Sequence, residues 1–178
     1  MAWIEVGAKS NNPIVWKTCN EIQVFVNTGG SPNAVDDVQF VIDYLNSLGT
    51  LNFQYAGTNE KNLIASGFKS NYQVQITYGA RESFLKDWNN EAAIAVGGSF
   101  HFDKTYSSGQ IAAYLPAMDD ANQDLRRNVI LHEFGHVLGL AHTTTEGDIM
   151  YPISTSDAAT SFNQEVVDYF ANNPGCVK

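Results

Sequence analysis

The sequence predicts an α+β fold in which a sheet packs against two long helices. Two features lead to this prediction: short segments alternate apolar and polar residues with a period of two, and two longer segments repeat apolar residues at helical spacing. The predicted order is one strand, one helix, four strands and two helices. No internal repeat or Pro-rich linker divides the chain, so we expect a single domain over residues 1–178.

The predicted strands are short segments rich in β-branched and aromatic residues. The first is EIQVFVN, residues 21–27, which ends at the turn-forming residues TGGSPN. Further strands are predicted at 51–57, at 72–79, within 91–103, where a Gly-Gly pair indicates a kink, and at 111–118. We expect the segment TYSSGQ to be the turn that connects the last two strands.

The two long helices are predicted from the spacing of their apolar residues. The first covers residues 33–48 and ends at Gly49, and its apolar stripe packs on the sheet. The second covers residues 119–140 and has acidic residues at its start, where they suit the helix dipole. A shorter helix is predicted at 161–172.

The composition excludes several classes of partner. The chain is 44% hydrophobic and only 16% charged, which is typical of a globular protein. Its net charge of −9 argues against nucleic acid, because phosphate binding needs a basic surface. The nearest approach to a basic cluster is Arg126 and Arg127, which we expect on the solvated side of their helix. The acidic surface favours a monomer, and no apolar run approaches the roughly 18–20 residues of a membrane span.

The two cysteines, Cys19 and Cys176, lie near opposite ends of the chain, too far apart in sequence for a metal knuckle. In an exported protein they would form a disulfide that ties the termini together, and in a reducing compartment they would be two buried thiols. The sequence leaves both alternatives open.

The segment HEFGHVLGLAH, residues 132–142, has the residue types and the spacing of a metal site. His132 and His136 are four residues apart, so on a helix both imidazoles leave the same face one turn apart. Gly139 allows the helix to end and the chain to turn sharply, because glycine adopts positive φ at little steric cost. The turn brings back His142 as a third ligand, and we therefore predict one zinc ion held by three histidines.

The pattern also predicts catalysis. Three neutral histidines leave Zn²⁺ one open position, which is typical of a catalytic site and not of a structural one. Glu133, beside the first ligand, is placed to act as the general base that activates the attacking water. The extended spacing is far more specific than H-E-x-x-H alone, which often occurs by chance. His101 lies outside the motif and is expected to be an ordinary strand or surface residue.

The extended motif resembles the metzincin zinc metallopeptidases, and the residues after it are most similar to the matrixins, the family of the matrix metalloproteinases. The segment DIMYP, residues 148–152, resembles the metzincin Met-turn. Met150 follows His142 by eight residues, and Tyr151 and Pro152 come directly after it, as in matrixins. The resemblance implies that Met150 supports the histidines from beneath the zinc.

The resemblance further implies a metzincin-like catalytic domain with a twisted mixed sheet. Its upper lobe would extend to about residue 139, and a small lower lobe over about 140–178 would end in a helix. It implies a zinc-dependent endopeptidase that hydrolyses protein or peptide substrates. An extended substrate would pair with the edge strand AAIAVGGSF. For this class, the absence of a signal sequence in MAWIEVGAKS suggests a mature domain of a secreted protein.

The differences from matrixins predict how the site differs. Matrixins usually bind a second, structural zinc with three histidines and an aspartate, but only His101 precedes the motif here, so we expect one zinc ion. The primed-side pocket would be lined by Val129 from the helix and by Pro152, Ile153 and Ser154 from the opposite wall. This mostly apolar lining predicts an apolar side chain immediately after the scissile bond.

Two questions stay open at this point. A catalytically idle metal-binding or adhesion module on the same fold is the alternative to an active peptidase. Calcium binding is possible but unsupported, because the cluster of Asp119, Asp120 and Asp124 is equally well explained as a solvated helix start.

Overall fold

The structure, a computed structural model, describes residues 15–16, 19–49, 51–60, 73–80, 93–102, 105–155, 157, 159–172 and 176. Six strands and four helices lie in this part of the chain. The strands are β1 (Val15–Trp16), β2 (Ile22–Asn27), β3 (Phe53–Thr58), β4 (Gln73–Gly79), β5 (Ala95–Phe102) and β6 (Thr105–Tyr114). The helices are α1 (Ala34–Ser47), α2 (Leu115–Asp120), α3 (Gln123–Val137) and α4 (Gln164–Asn172).

The strands form one mixed sheet in the order β1-β6-β4-β2-β3, with β5 also paired to β6. All pairs are parallel except β5–β6, which is antiparallel. Among the described strands, β5 pairs with β6 alone. The α+β class, the mixed sheet and the two long helices predicted from the sequence are therefore confirmed.

Helix α1 packs against the sheet and against α3 through a buried stripe, as its apolar spacing predicts. The stripe has residues at intervals of three and four, which places them on one face of the helix. Gly49, at φ +73°, follows its end. The buried residues of α1 include Val38, Val41, Ile42 and Leu45.

Two predictions for residues 105–118 are wrong. The segment TYSSGQ is not a turn but the first part of β6, paired with β5 on one side and with β1 and β4 on the other. The last residues of the predicted strand 111–118 belong to α2, which begins at Leu115 with a proline in its first turn. Serine and glycine favour turns locally. Here, however, three neighbouring strands provide hydrogen-bond partners for the backbone of this segment, so it forms a strand. The β5–β6 register shift lies between Phe100 and His101, after the Gly-Gly pair.

The prediction that Arg126 and Arg127 face solvent is also wrong. Arg126 is 8% exposed, and its Nε donates to the Asp37 carboxylate at 2.5 Å. The Arg127 guanidinium lies 4.0 Å from the centre of the Phe40 ring, and its Nε is 3.5 Å from the second oxygen of Asp37. These contacts join α1 to α3, the helix that carries the histidine motif.

Cys19 and Cys176 form a disulfide that spans 157 residues of sequence, which settles the alternative that the sequence leaves open. Cys176 also pairs with Trp16 of β1 through an isolated bridge. No helix among the described residues is long and apolar enough to cross a membrane. The division into lobes near residue 139 stays a prediction.

Candidate metal centre

Helix α3 begins and ends in ways that place the histidine motif. At its start, the Asn122 side chain accepts a hydrogen bond from the Leu125 amide at 2.9 Å. At its end, the Leu140 amide donates to the Gly135 carbonyl at 2.8 Å and the Gly139 amide donates to the His136 carbonyl at 3.0 Å. This is a Schellman motif, and it requires the left-handed φ of +88° at Gly139. The chain therefore leaves the helix sharply, three residues before His142.

Gly139 is also required by a tertiary contact. A Cβ added there would collide with the hydroxyl group of Tyr106, which is buried in β6. A side chain at this position would therefore have to displace the Tyr106 side chain as well as adopt an unfavourable φ.

The three histidines of the motif meet at one point. His132 Nε2 lies 3.2 Å from the Nε2 atoms of both His136 and His142, and the last two are 3.1 Å apart. Among the described residues, these form the one group of three His, Cys, Asp or Glu side chains placed to share a metal ion. The turn at the end of α3 and the i, i+4 spacing on α3 together produce this convergence.

Two backbone carbonyls orient the imidazoles. His132 Nδ1 donates to the Ile149 carbonyl at 2.7 Å, and His136 Nδ1 donates to the Leu140 carbonyl at 2.8 Å. Because a carbonyl only accepts, the proton of each neutral ring lies on Nδ1, and the Nε2 lone pair points to the shared centre. Burial lowers the pKa of His132 to about 4, with the neighbouring His136 adding to the effect, and burial also lowers the pKa of His142. The rings of His132 and His142 are thus kept neutral, the form that binds metal.

This donor set fits a zinc ion. Zinc–nitrogen bonds of about 2.0–2.1 Å in a tetrahedral arrangement require nitrogen atoms about 3.3–3.4 Å apart, close to the observed 3.1–3.2 Å. The Nε2 lone pairs of His132 and His136 face one point together with Nε2 of His142, and they repel each other unless a proton or a metal cation lies between them. The chemistry of the site therefore favours a bound cation.

Glu133 lies beside the histidines in a buried position. It is 6% exposed, and burial raises the pKa of its carboxyl group to about 8, while a hydrogen bond from the Gly97 amide of β5 acts in the opposite direction. A cation bound by the histidines would favour the charged carboxylate and lower this pKa again.

The segment that contains Met150 is fixed beneath α3. Met150 is fully buried, and a Cβ added at Gly135 would collide with its sulfur atom. The Met150 amide donates to the Asp148 carboxylate at 2.8 Å, and Asn163 Nδ2 donates to the other Asp148 oxygen at 2.6 Å. Thr143, directly after His142 in the chain, donates its amide to the Met150 carbonyl at 3.0 Å. These bonds tie the methionine to the loop that carries the third histidine.

A comparison with protein families agrees with this geometry. The family model described as matrixin matches residues 26–171, which is most of the chain. The chain belongs to the matrixin family of metallopeptidases. A search of curated proteins gave no significant match.

Solved structures confirm the metzincin-like fold of this matrixin. It is similar to archaemetzincin from Methanopyrus kandleri, with a TM-score of 0.59 at 12% identity over 84% of this chain and 92% of that chain. It is also similar to metalloproteinase-II from Bacteroides fragilis, with a TM-score of 0.54 at 14% identity over 90% of this chain and 58% of that one. At these identities the similarity concerns the fold alone.

The residues predicted to line the primed-side pocket differ widely in exposure in this matrixin. Val129 is 2% exposed and belongs to the core, whereas Ile153 is 63% exposed. Pro152 is exposed and Ser154 is half-buried. Their role in binding substrate stays a prediction.

Sequence reasoning missed several groups around the site. The backbone carbonyls of Leu140 and Ile149 cannot be recognised as hydrogen-bond partners from the sequence, because every residue has a carbonyl. Asp148 could have been noticed as a turn-forming residue before Met150, since aspartate often accepts from the amide two residues later. Gly97 had a weak signal, because a glycine within a strand often marks a close approach of backbone.

Proposed function

We propose that this matrixin is a zinc-dependent endopeptidase that cleaves protein or peptide substrates. The observation that carries the proposal is the convergence of three histidine Nε2 atoms at 3.1–3.2 Å beside a buried glutamate. His132, His136 and His142 would hold one zinc ion through these atoms, and three protein ligands leave a position open for water and substrate.

A zinc ion held there supplies a Lewis acid for the attacking water and for the scissile carbonyl group. Glu133 takes the proton from the water as it attacks, and then donates that proton to the leaving amine. Burial favours proton uptake by the Glu133 carboxylate, and a cation held by the histidines would favour release of that proton, so the two effects together suit a group that must both take up and give back a proton. His132 and His136 keep their orientation through their hydrogen bonds to backbone carbonyls.

Substrate recognition would use the outer edge of β5 and the mostly apolar residues predicted to line the primed-side pocket. Strand β5 pairs on one side with β6, and an extended peptide on its other side would add a strand through backbone hydrogen bonds. Val129, Pro152, Ile153 and Ser154 offer no charge for the side chain after the scissile bond. We therefore expect Leu, Met, Ile and aromatic residues there, each well-buried methylene contributing about 0.8 kcal/mol.

The experiment is cleavage of a diverse peptide library, read by mass spectrometry, with parent protein, with a zinc chelator and with Glu133→Gln. Parent protein is expected to cleave before apolar residues, the chelator to abolish cleavage, and Glu133→Gln to reduce the rate by about 10²–10⁴-fold while zinc is retained. Glu165→Gln is the matched control, because it makes the same chemical change at an exposed site in the first turn of α4.

Each outcome separates one part of the proposal from the others. An idle module would leave the library uncut although it binds zinc. Full activity of Glu133→Gln would show that another group is the base. A dominant preference for Asp, Glu, Lys or Arg after the cleaved bond would show that the pocket lies elsewhere.

We also propose that the protein works in an oxidising compartment, as a secreted protein does. The support is the Cys19–Cys176 disulfide, since such bonds persist where thiols are not kept reduced. Protein isolated from its native source in the presence of an alkylating reagent should carry no alkylated cysteine. Two alkylated cysteines per chain would contradict this location.

A further inference from the structure

The edge strand β5 touches helix α3 at Glu133 through a glycine. A Cβ built on Gly97 lies 2.5 Å from the Glu133 carbonyl oxygen and 2.9 Å from the Glu133 Cβ. Both distances are shorter than real Cβ contacts, and one of the atoms belongs to the helix backbone, which cannot rotate aside. Only a residue without a side chain allows the strand and the helix to approach this closely.

The same glycine holds the functional end of Glu133. Its backbone amide donates a hydrogen bond to the Glu133 carboxyl group. The approach of the two backbones and the hydrogen bond therefore depend on each other, since a wider separation would draw the amide away from the carboxylate. Gly97 pairs with Ile111 of β6, and this pairing sets the position of β5 along its neighbour.

We propose that Gly97 is a positioning residue for the proposed peptidase reaction, and that it acts by holding the Glu133 carboxylate at the site of proton transfer. This inference rests on the proposed function only in so far as Glu133 is the base. The hydrogen bond between Gly97 and Glu133 can be tested without any activity.

The matched variants are supplied by two other glycines. Gly98 is the next residue of β5, and a Cβ there meets nothing within 4 Å, so Gly98→Ala measures what a methyl group on this strand costs by itself. Gly109 of β6 packs on the same helix, and a Cβ there lies 2.5 Å from a methyl group of Val137, four residues beyond Glu133. Gly109→Ala therefore disturbs the contact between sheet and helix without touching Glu133.

The kinetic test compares Gly97→Ala with both of these variants. To bring its Cβ from 2.5 Å to ordinary contact at 3.4 Å, the strand and the helix must separate by about 0.9 Å. A misplacement of about 1 Å at a reacting group costs on the order of 10²-fold in rate. We expect kcat to fall tenfold to a hundredfold in Gly97→Ala with a much smaller change in KM and with unchanged zinc content. Gly109→Ala should lower stability, but its kcat should fall much less than that of Gly97→Ala.

A double-mutant cycle asks whether the effect passes through Glu133. Adding Gly97→Ala to Glu133→Gln should cost little further rate, because the carboxylate that Gly97 holds is already gone. The proposal would be overturned if Gly97→Ala and Gly109→Ala lost the same factor in kcat. It would also be overturned if the rate losses of Gly97→Ala and Glu133→Gln multiplied fully in the double variant. Parent protein without peptidase activity would overturn the proposed function and the kinetic role of Gly97 together.

Amide hydrogen exchange tests the hydrogen bond between Gly97 and Glu133 even if Gly97→Ala does not fold. In the parent, the Gly97 amide should be protected, and in Glu133→Ala, which removes the acceptor, it should exchange at least about tenfold faster. The other amides of β5 serve as internal references. An unchanged exchange rate at Gly97 would overturn the proposal while leaving the proposed peptidase activity untouched.

Discussion

The ion pair between helices α1 and α3 leads to a prediction about stability. Asp37 is fully buried, and Arg126, which donates to it at 2.5 Å, is 8% exposed. Asp37→Asn keeps the size of the side chain but leaves the guanidinium group without its counter-charge. Removing one partner of a buried ion pair costs about 3–5 kcal/mol, mainly because the remaining charge stays buried and unpaired.

The neighbouring Asp36 is the matched control. It lies in the same first turn of α1 but is exposed, so Asp36→Asn removes the same charge from the same end of the helix. Loss of the Asp36 charge should lower the free energy of unfolding by only about 0.3–1 kcal/mol, through the interaction of that charge with the helix dipole. For a domain of this size each kcal/mol lowers the melting temperature by about 2–4 °C, so Asp37→Asn should melt roughly 10 °C below the parent.

The assay is thermal and urea denaturation followed by circular dichroism, with parent and both variants at one fixed zinc concentration, because bound metal adds to stability. Zinc content and kcat, measured well below the melting temperature, should remain those of the parent, since the pair touches none of the histidines. If Asp37→Asn costs no more than Asp36→Asn, the buried ion pair does not stabilise the contact between α1 and α3.

Two further predictions concern the site. Met150→Leu conserves side-chain volume beneath α3, so it should cost about 1.5 kcal/mol or less and keep both zinc and measurable hydrolysis; complete loss of zinc would contradict the support role of Met150. In the metal-free protein, burial raises the pKa of Glu133 from 4.5 to about 8, so this group binds more protons in the folded state than in the unfolded state and its own contribution to stability falls as pH rises across this range. Metal-free Glu133→Gln should therefore exceed the metal-free parent in stability by a margin that grows from pH 5 to pH 8, measured by urea denaturation; a margin independent of pH would contradict this.

Local patterns in the sequence predicted the parts of the fold that local interactions determine. The helix predicted at 33–48 is observed as Ala34–Ser47, because an amphipathic stripe and a glycine stop define it within its own residues. The histidine motif is local in the same sense: helical spacing and the turn at Gly139 bring its three rings together within 11 residues.

Contacts between distant residues could not be predicted in this way. The strand at 105–110 has the composition of a turn, and only the pairing with three other strands shows its conformation. Arg126 is buried because Asp37, 89 residues earlier, meets it there. Gly97 contacts Glu133 although 36 residues separate them, and the disulfide joins the two ends of the described chain.

Zinc stoichiometry tests the central claim most directly. Protein freed of loosely bound metal by dialysis should contain one zinc ion per chain by elemental analysis. His132→Ala should lose it, because two histidines remain at the centre, whereas His101→Ala should retain it, since His101 is the one histidine outside the motif. Two zinc ions per parent chain, or a parent chain that retains none, would contradict a single catalytic zinc ion held by His132, His136 and His142.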